Sequence, residues 1–215
     1  MTAIRYEQER QAVVDYARRM TSDGLVVGTS GNISQRVGDH IVVTPSGTDY
    51  STMTARDIVV VDIEGSTVDG DLLPTVELPI HLACYRELGA RAVVHTHSRS
   101  ATALSLLRDD VPKVHYQIAM FGGSVRVAPY ATYGTEQLMA NIMVAMRDRT
   151  ACIMKHHGSI AIGENLAKAY DRVRQLEWLC DVWMTAAAIG DPAVLPDAEI
   201  DHVTAKFATY GQSRR

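Results

Sequence analysis

Two pairs of apolar runs lie too close together in this sequence to pair in parallel, and that spacing restricts the fold more than any other feature. Residues 33–37 and 41–44 are separated only by a turn at Gly38-Asp39, and residues 151–155 and 159–162 only by His156-His157-Gly158. Parallel neighbours need a crossover of a dozen residues or more, whereas antiparallel neighbours close in a few. A largely antiparallel sheet is expected. No G-x-G-x-x-G follows a strand, which argues further against a dinucleotide-binding arrangement.

Residues 58–63, 92–97 and 124–128 supply more strands. Residues 6–22 have helical periodicity, with Val13, Val14, Ala17 and Met20 on one face and Gly24 just past the end. Residues 78–88 follow as a helix in which Pro79 falls in the first turn, where its missing N–H does no harm. Further helices are expected over 98–107, 134–147, 165–189 and 197–210. The longest has Leu166, Ala169, Val173, Leu176, Cys180 and Trp183 at helical spacing. Helices interspersed with strands place the chain in the α/β or α+β class, with helices covering a central, mostly antiparallel sheet. No repeat or long linker interrupts the 215 residues, so one domain spanning 1–215 is expected.

Composition removes several function classes. The formal charge is −4 and no run of Lys and Arg exceeds two residues, so a nucleic-acid footprint is not expected. Glu7, Glu9 and Arg10 put charge where a signal peptide is apolar. No apolar stretch approaches the length that crosses a bilayer. Cys84, Cys152 and Cys180 are odd in number and form no CxxC pair, as expected of buried reduced thiols. A cytoplasmic protein with no membrane partner is the expectation.

The residues richest in chemistry sit at strand ends. In Val93-Val94-His95-Thr96-His97 the two histidines project from one face, because strand side chains alternate. Two imidazoles so placed can grip one cation, and a third would complete an open three-ligand site. His156 and His157, ending a second apolar strand, are the candidates for that third position. Glu77 lies at the start of the 78–88 helix, where a carboxylate is also favoured by the helix dipole alone. The turns Gly28-Thr29-Ser30-Gly31-Asn32 and Thr44-Pro45-Ser46-Gly47-Thr48 offer unobstructed N–H groups beside hydroxyls, a composition suited to an anion and equally found in ordinary turns.

Taken in order, GTSGNIS (28–34), TPSG (44–47), AVVHTH (92–97), VHYQIAMFGG (114–123), APYATYGT (128–135), KHHG (155–158) and KFATYG (206–211) resemble the class II aldolase/adducin superfamily. The likeness runs along nearly the whole chain and is nearest to the L-fuculose-1-phosphate aldolase branch. It implies the class II aldolase fold, an α/β fold in α/β/α layers, and a divalent metal held by His95, His97 and His157, usually Zn2+, with Mn2+ or Co2+ as alternatives. It implies Glu77 as catalytic acid/base and as a further ligand when no substrate is bound, with His156 a neighbour. Gly31, Asn32, Ser46, Gly47 and Thr75 match a phosphate pocket. Tyr116 matches a catalytic tyrosine that reaches the active site of an adjacent subunit in a homotetramer, and Tyr210 a C-terminal tyrosine that covers the substrate. One position departs from the pattern: where the family has Ser-Ser-Glu this chain has Thr75-Val76-Glu77, and valine cannot donate to phosphate.

The implied reaction is reversible cleavage of a ketose 1-phosphate, a small-molecule sugar phosphate, to dihydroxyacetone phosphate and an aldehyde. Two alternatives share the fold. A ribulose-5-phosphate 4-epimerase type would recombine the fragments, and that branch tends to carry Asp at the position of Glu77. An adducin-like binding module would have no use for the histidines.

Overall fold

Side-chain alternation along the strands sorts apolar residues onto two faces, and both faces are covered. Residues 4–207 are described by a computed structural model. The elements in chain order are α1 (Glu7–Ser22), β1 (Asn32–Val37), β2 (His40–Val43), β3 (Val59–Asp62), β4 (Thr67–Asp69), α2 (Leu78–Glu87), β5 (Ala92–Thr96) and α3 (Arg99–Ser105). A 3-10 helix (Tyr116–Phe121) follows, then β6 (Val127–Ala128), α4 (Glu136–Ala145), β7 (Ala151–Met154), β8 (Gly158–Gly163), α5 (Leu166–Ala187) and α6 (Asp197–Phe207). The strands form one eight-stranded sheet in the order β4-β3-β2-β1-β5-β8-β7-β6.

Every pair is antiparallel except β6 with β7. That exception obeys the rule that made the hairpins antiparallel: β6 and β7 are joined through α4, a connection long enough for a crossover. Ile33, Val42, Val60, Val94, Ile153 and Ala161 pack on one face against α1, α3, α5, α6 and the 3-10 helix. Their strand neighbours Ile41, Val43, Val59, Val93, Cys152 and Ile160 pack on the other against α2 and α4. The expected three layers are present. Each fully buried Val, Leu or Ile contributes about 1.5–3 kcal/mol relative to exposure, so a one-residue register slip, which would exchange the two faces, is strongly disfavoured. The three cysteines are free and buried. Among the described residues no helix is long and apolar enough to cross a membrane.

Element ends differ from the sequence reading in a few places. β5 stops at Thr96, so His97 lies one residue beyond the strand. The strand expected over 124–128 is only Val127–Ala128; just before it, Arg126 is bridged to Asp110 outside the named strands. β4 and the 3-10 helix were not anticipated. Residues 208–210 of the expected last helix lie outside the described residues, and with them Tyr210.

Candidate active site

Three elements carry the histidine cluster to one point. On β5, Val93 faces α2, so His95, two residues on, faces it too. β1 pairs with β5 in a register that sets Asn32 opposite His95. β8 flanks β5 on its other side, and the turn before it carries His157. That turn is held from behind by α3: Ser105 Oγ accepts from the His156 N–H, and Thr102 Oγ1 donates to the His157 carbonyl. His156 takes a positive φ of 59° there and sets its ring against Tyr130. His157 turns inward. The rings of His95, His97 and His157 then lie 4.8–4.9 Å apart, centre to centre.

Glu77 completes the group from the residue before α2. The Thr75 N–H donates to the Thr44 carbonyl, and the Ser46 N–H to the Leu73 carbonyl, which ties the 44–47 loop to the segment leading into α2. Glu77 Oε2 is 3.1 Å from His95 Nε2, and Oε1 is 3.4 Å from His157 Nε2. Among the described residues, Glu77, His95, His97 and His157 form a group whose potential ligand atoms all lie within 4.8 Å of one another.

The electrostatics of the group call for a cation. His95 Nδ1 donates to the Ser159 carbonyl at 2.9 Å, since a carbonyl can only accept. In the neutral ring the Nε2 lone pair therefore faces a carboxylate oxygen and, at 3.0 Å, His97 Nε2. Burial works against a charged His95, yet the Glu77 charge and hydrogen bond, with the Ser159 bond, raise its pKa. Burial, followed by the charge of His95, lowers His97 to about 3 and His157 to about 4. Burial also opposes ionisation of Glu77, but His95, Asn32 and His157 together hold its carboxyl well below the usual carboxylate range. Among the described residues, Glu77 Oε1 is buried with no hydrogen-bond donor. Convergent imidazole lone pairs with an orphaned carboxylate oxygen fit a divalent cation, and three nitrogens with one oxygen suit Zn2+, Co2+ or Mn2+.

The group borders a cleft of about 400 Å³. Gly31, Asn32, Ser46, Gly47, Thr75 and Val76 line it, with Tyr130 and Tyr133 on its rim. Gly31 has φ 75°, and a Cβ there would lie 2.6 Å from Val26 and 2.8 Å from the His95 carbonyl, so only glycine fits beside the cluster. Gly47 also has positive φ. Asn32 is largely committed already: Nδ2 donates to Glu77 Oε2 at 2.8 Å and Oδ1 meets His81 Nε2 at 2.5 Å. One amide N–H remains for the cleft. Val76 is 58% exposed. Tyr116 does not line this cleft; it is half exposed and leans on His115 and Phe207.

The family model described as the Class II Aldolase and Adducin N-terminal domain matches residues 11–184. The chain belongs to that family. This class II aldolase-family chain is 42% identical over 202 residues to an L-fuculose phosphate aldolase of Escherichia coli (strain K12), covering 93% of this chain and 94% of the relative. It is 36% identical over 209 residues to a 5-deoxy-D-ribulose 1-phosphate aldolase of Bacillus thuringiensis serovar kurstaki, covering 96% and 98%. Among solved structures, an L-fuculose 1-phosphate aldolase superposes with a TM-score of 0.91 at 36% identity, over 95% of this chain and 98% of that one. Aldolases acting on different sugar phosphates are thus similarly near to it.

Proposed function

We propose that the protein is a divalent-metal-dependent aldolase that reversibly cleaves a ketose 1-phosphate, of the L-fuculose 1-phosphate kind, to dihydroxyacetone phosphate and an aldehyde. One observation carries the reading. Three imidazoles and a carboxylate converge within 4.8 Å beside a cleft whose glycine-rich walls have room for a phosphate.

In this reading His95, His97 and His157 hold the cation, Zn2+ in the first instance, with Glu77 as a further ligand in the resting site. Bound there, it supplies Lewis-acid stabilisation for the negative charge that develops on the former ketone oxygen. The Gly31, Ser46 and Gly47 backbone, the hydroxyls of Ser46 and Thr75 and the remaining Asn32 N–H orient the phosphate. Glu77 is ionised at neutral pH, because its neighbours hold its pKa down. It can therefore take a proton from dihydroxyacetone phosphate in the condensation direction, and it returns one to the same carbon in cleavage. In cleavage Tyr116 takes the C4 hydroxyl proton while passing its own phenolic proton to solvent, and Glu77 picks up a solvent proton before delivering it to the carbon, so both residues end each cycle as they began it. Tyr116 does not line the cleft of its own chain, so in this reading it serves the active site of a neighbouring subunit in a homotetramer. Tyr210, outside the described residues, keeps the substrate-covering role that the resemblance implies. Such an enzyme works in the cytoplasm.

The test is a panel of ketose 1-phosphates, L-fuculose 1-phosphate and 5-deoxyribulose 1-phosphate among them. Release of dihydroxyacetone phosphate and free aldehyde is measured before and after chelation, and again after Zn2+ is restored. His97→Ala should be inactive under all three conditions. Recombined epimer without free aldehyde would identify an epimerase instead, and undiminished cleavage after complete metal removal would overturn the mechanism.

A further inference from the structure

Behind Glu77, away from the cleft, Ser34, His81 and Tyr85 form a line of buried polar side chains that the proposed chemistry does not use, and Asn32 joins that line to Glu77. Asn32 and Ser34 are two residues apart on β1 and face α2; Glu77, His81 and Tyr85 are four apart and share one side of α2. The two rows interlock. Tyr85 OH is 2.6 Å from Ser34 Oγ, and Ser34 Oγ is 2.6 Å from His81 Nδ1. His81 Nε2 is 2.5 Å from Asn32 Oδ1, and Asn32 Nδ2 is 2.8 Å from Glu77 Oε2. Ser34 and His81 are fully buried, and Tyr85 and Asn32 nearly so.

The direction of every bond in this line is forced from one end. The Asn32 amide presents Nδ2 to Glu77 Oε2 and turns its Oδ1 toward His81. Oδ1 only accepts, so His81 must carry its proton on Nε2. Burial keeps that imidazole neutral, so its Nδ1 is an acceptor and takes the Ser34 hydroxyl proton. Ser34 Oγ, having donated, accepts from Tyr85. Reversing one bond would set two donors or two acceptors face to face in a water-free interior, which costs more than a lost hydrogen bond.

We infer that His81 is a positioning residue: backed by Ser34 and Tyr85, it locks the Asn32 amide so that its N–H holds Glu77 Oε2 and leaves Oε1 beside His157, 3.4 Å from its Nε2. A carboxylate that must reach a carbon atom gains from being held in one rotamer, since misplacement by about 1 Å costs on the order of 10²-fold. Without the lock the Asn32 amide can flip, and a flipped amide points Oδ1 at Glu77 and repels it.

The inference rests on the aldolase reading for its kinetic readout, so the experiment keeps the two apart. Wild type, His81→Leu, His81→Gln, Asn32→Ala and the Asn32→Ala/His81→Leu double variant are compared by kcat and KM for the best ketose 1-phosphate. Their Zn2+ affinity is measured in competition with a chelator. His81→Leu keeps the volume and loses the donor, while His81→Gln keeps an N–H that can reach Asn32. The expected result is a fall in kcat of about 10–100-fold for His81→Leu, with KM within about threefold of wild type, and recovery of much of that loss in His81→Gln. In the Asn32→Ala background His81→Leu should add nothing, because its route to Glu77 is already cut. Ser34→Ala, a smaller lesion for use if His81→Leu folds poorly, should show a weaker loss of the same kind. Losses that multiply in the double variant, or a His81→Leu enzyme with wild-type kcat, would overturn the inference. If the wild type cleaves no ketose 1-phosphate, the aldolase reading falls, and the same cycle on Zn2+ affinity decides the positioning role alone.

Discussion

Gly158 closes the turn that carries His157, and replacing it by alanine should disable the histidine cluster without touching any ligand. A Cβ at Gly158 would lie 2.0 Å from the Thr96 carbonyl oxygen, 3.0 Å from its carbon and 3.1 Å from the His97 Cα. Close contacts between carbon and a carbonyl oxygen are normally about 3.3–3.6 Å. β8 and β5 must therefore part by about 1 Å at the point where His157 leaves one strand and His97 the other. Overpacking of this kind costs about 1–3 kcal/mol of stability. Displacing two ligands by that amount should weaken Zn2+ binding by about 10²-fold, the scale found for perturbed ligand support. The assay is calorimetric unfolding with and without excess Zn2+, paired with a chelator competition. At a fixed excess, a hundredfold weaker site loses about 2.7 kcal/mol of the metal's stabilisation. Wild-type Zn2+ affinity together with a stability loss below about 0.5 kcal/mol would refute the idea that backbone contact between β5 and β8 sets the ligand spacing.

Three further outcomes are expected. In metal-free protein, the buried His81 has its pKa lowered to about 3, below its unfolded value of about 6.5. Its contribution is therefore complete above pH 6.5 and is lost as pH falls toward 3; His97 and His157 act with the same sign and His95 with the opposite one. Urea unfolding between pH 5.5 and 4 should show His81→Leu with a shallower pH dependence, by about 1.4 kcal/mol per pH unit, and an unchanged slope would contradict the assignment of a neutral His81. Val76→Ser restores a hydroxyl at an exposed position in the cleft and should lower KM for phosphorylated substrate, whereas no change would place the phosphate elsewhere. Glu77→Gln and Tyr116→Phe should each be nearly inactive alone, and random mixed assembly should restore about one quarter of sites if Tyr116 serves a neighbouring subunit in a head-to-tail ring. Mixing that restores nothing would put Tyr116 in its own chain's site, and an active Tyr116→Phe protein would make it a packing residue.

The hairpins and the facing of His95 were legible because each depends on a local rule, loop length or strand alternation. His156 and His157 were not separable that way: which of two adjacent residues turns inward depends on the positive φ of His156 and on the α3 side chains that brace the turn, and only the family resemblance pointed to His157. The line behind Glu77 was missed although its spacing was visible, i and i+2 on one strand and i, i+4 and i+8 on one helix. Buried polar residues at core positions are a weak sign until the facing element is known, and nothing local said that β1 would lie under α2. β4 escaped notice because its three residues are mostly exposed and pair with β3 across a register shift. Tyr130 and Tyr133 stood within a segment resembling the family, yet no local rule assigned them to the cleft rim.

The distances along the chain between partners in this site have a consequence for how the molecule folds. Asn32 bonds to Glu77, 45 residues away, and His95 to the Ser159 backbone, 64 residues away. Helices such as α5 can form from neighbours in sequence, but β1, β5 and β8 must each find partners across long loops, and such closures are slow. The cluster therefore cannot exist in a partly collapsed chain that has its helices but not its three central strands in register. Capacity to bind a cation should appear late in refolding, after the helical signal and together with the final cooperative step.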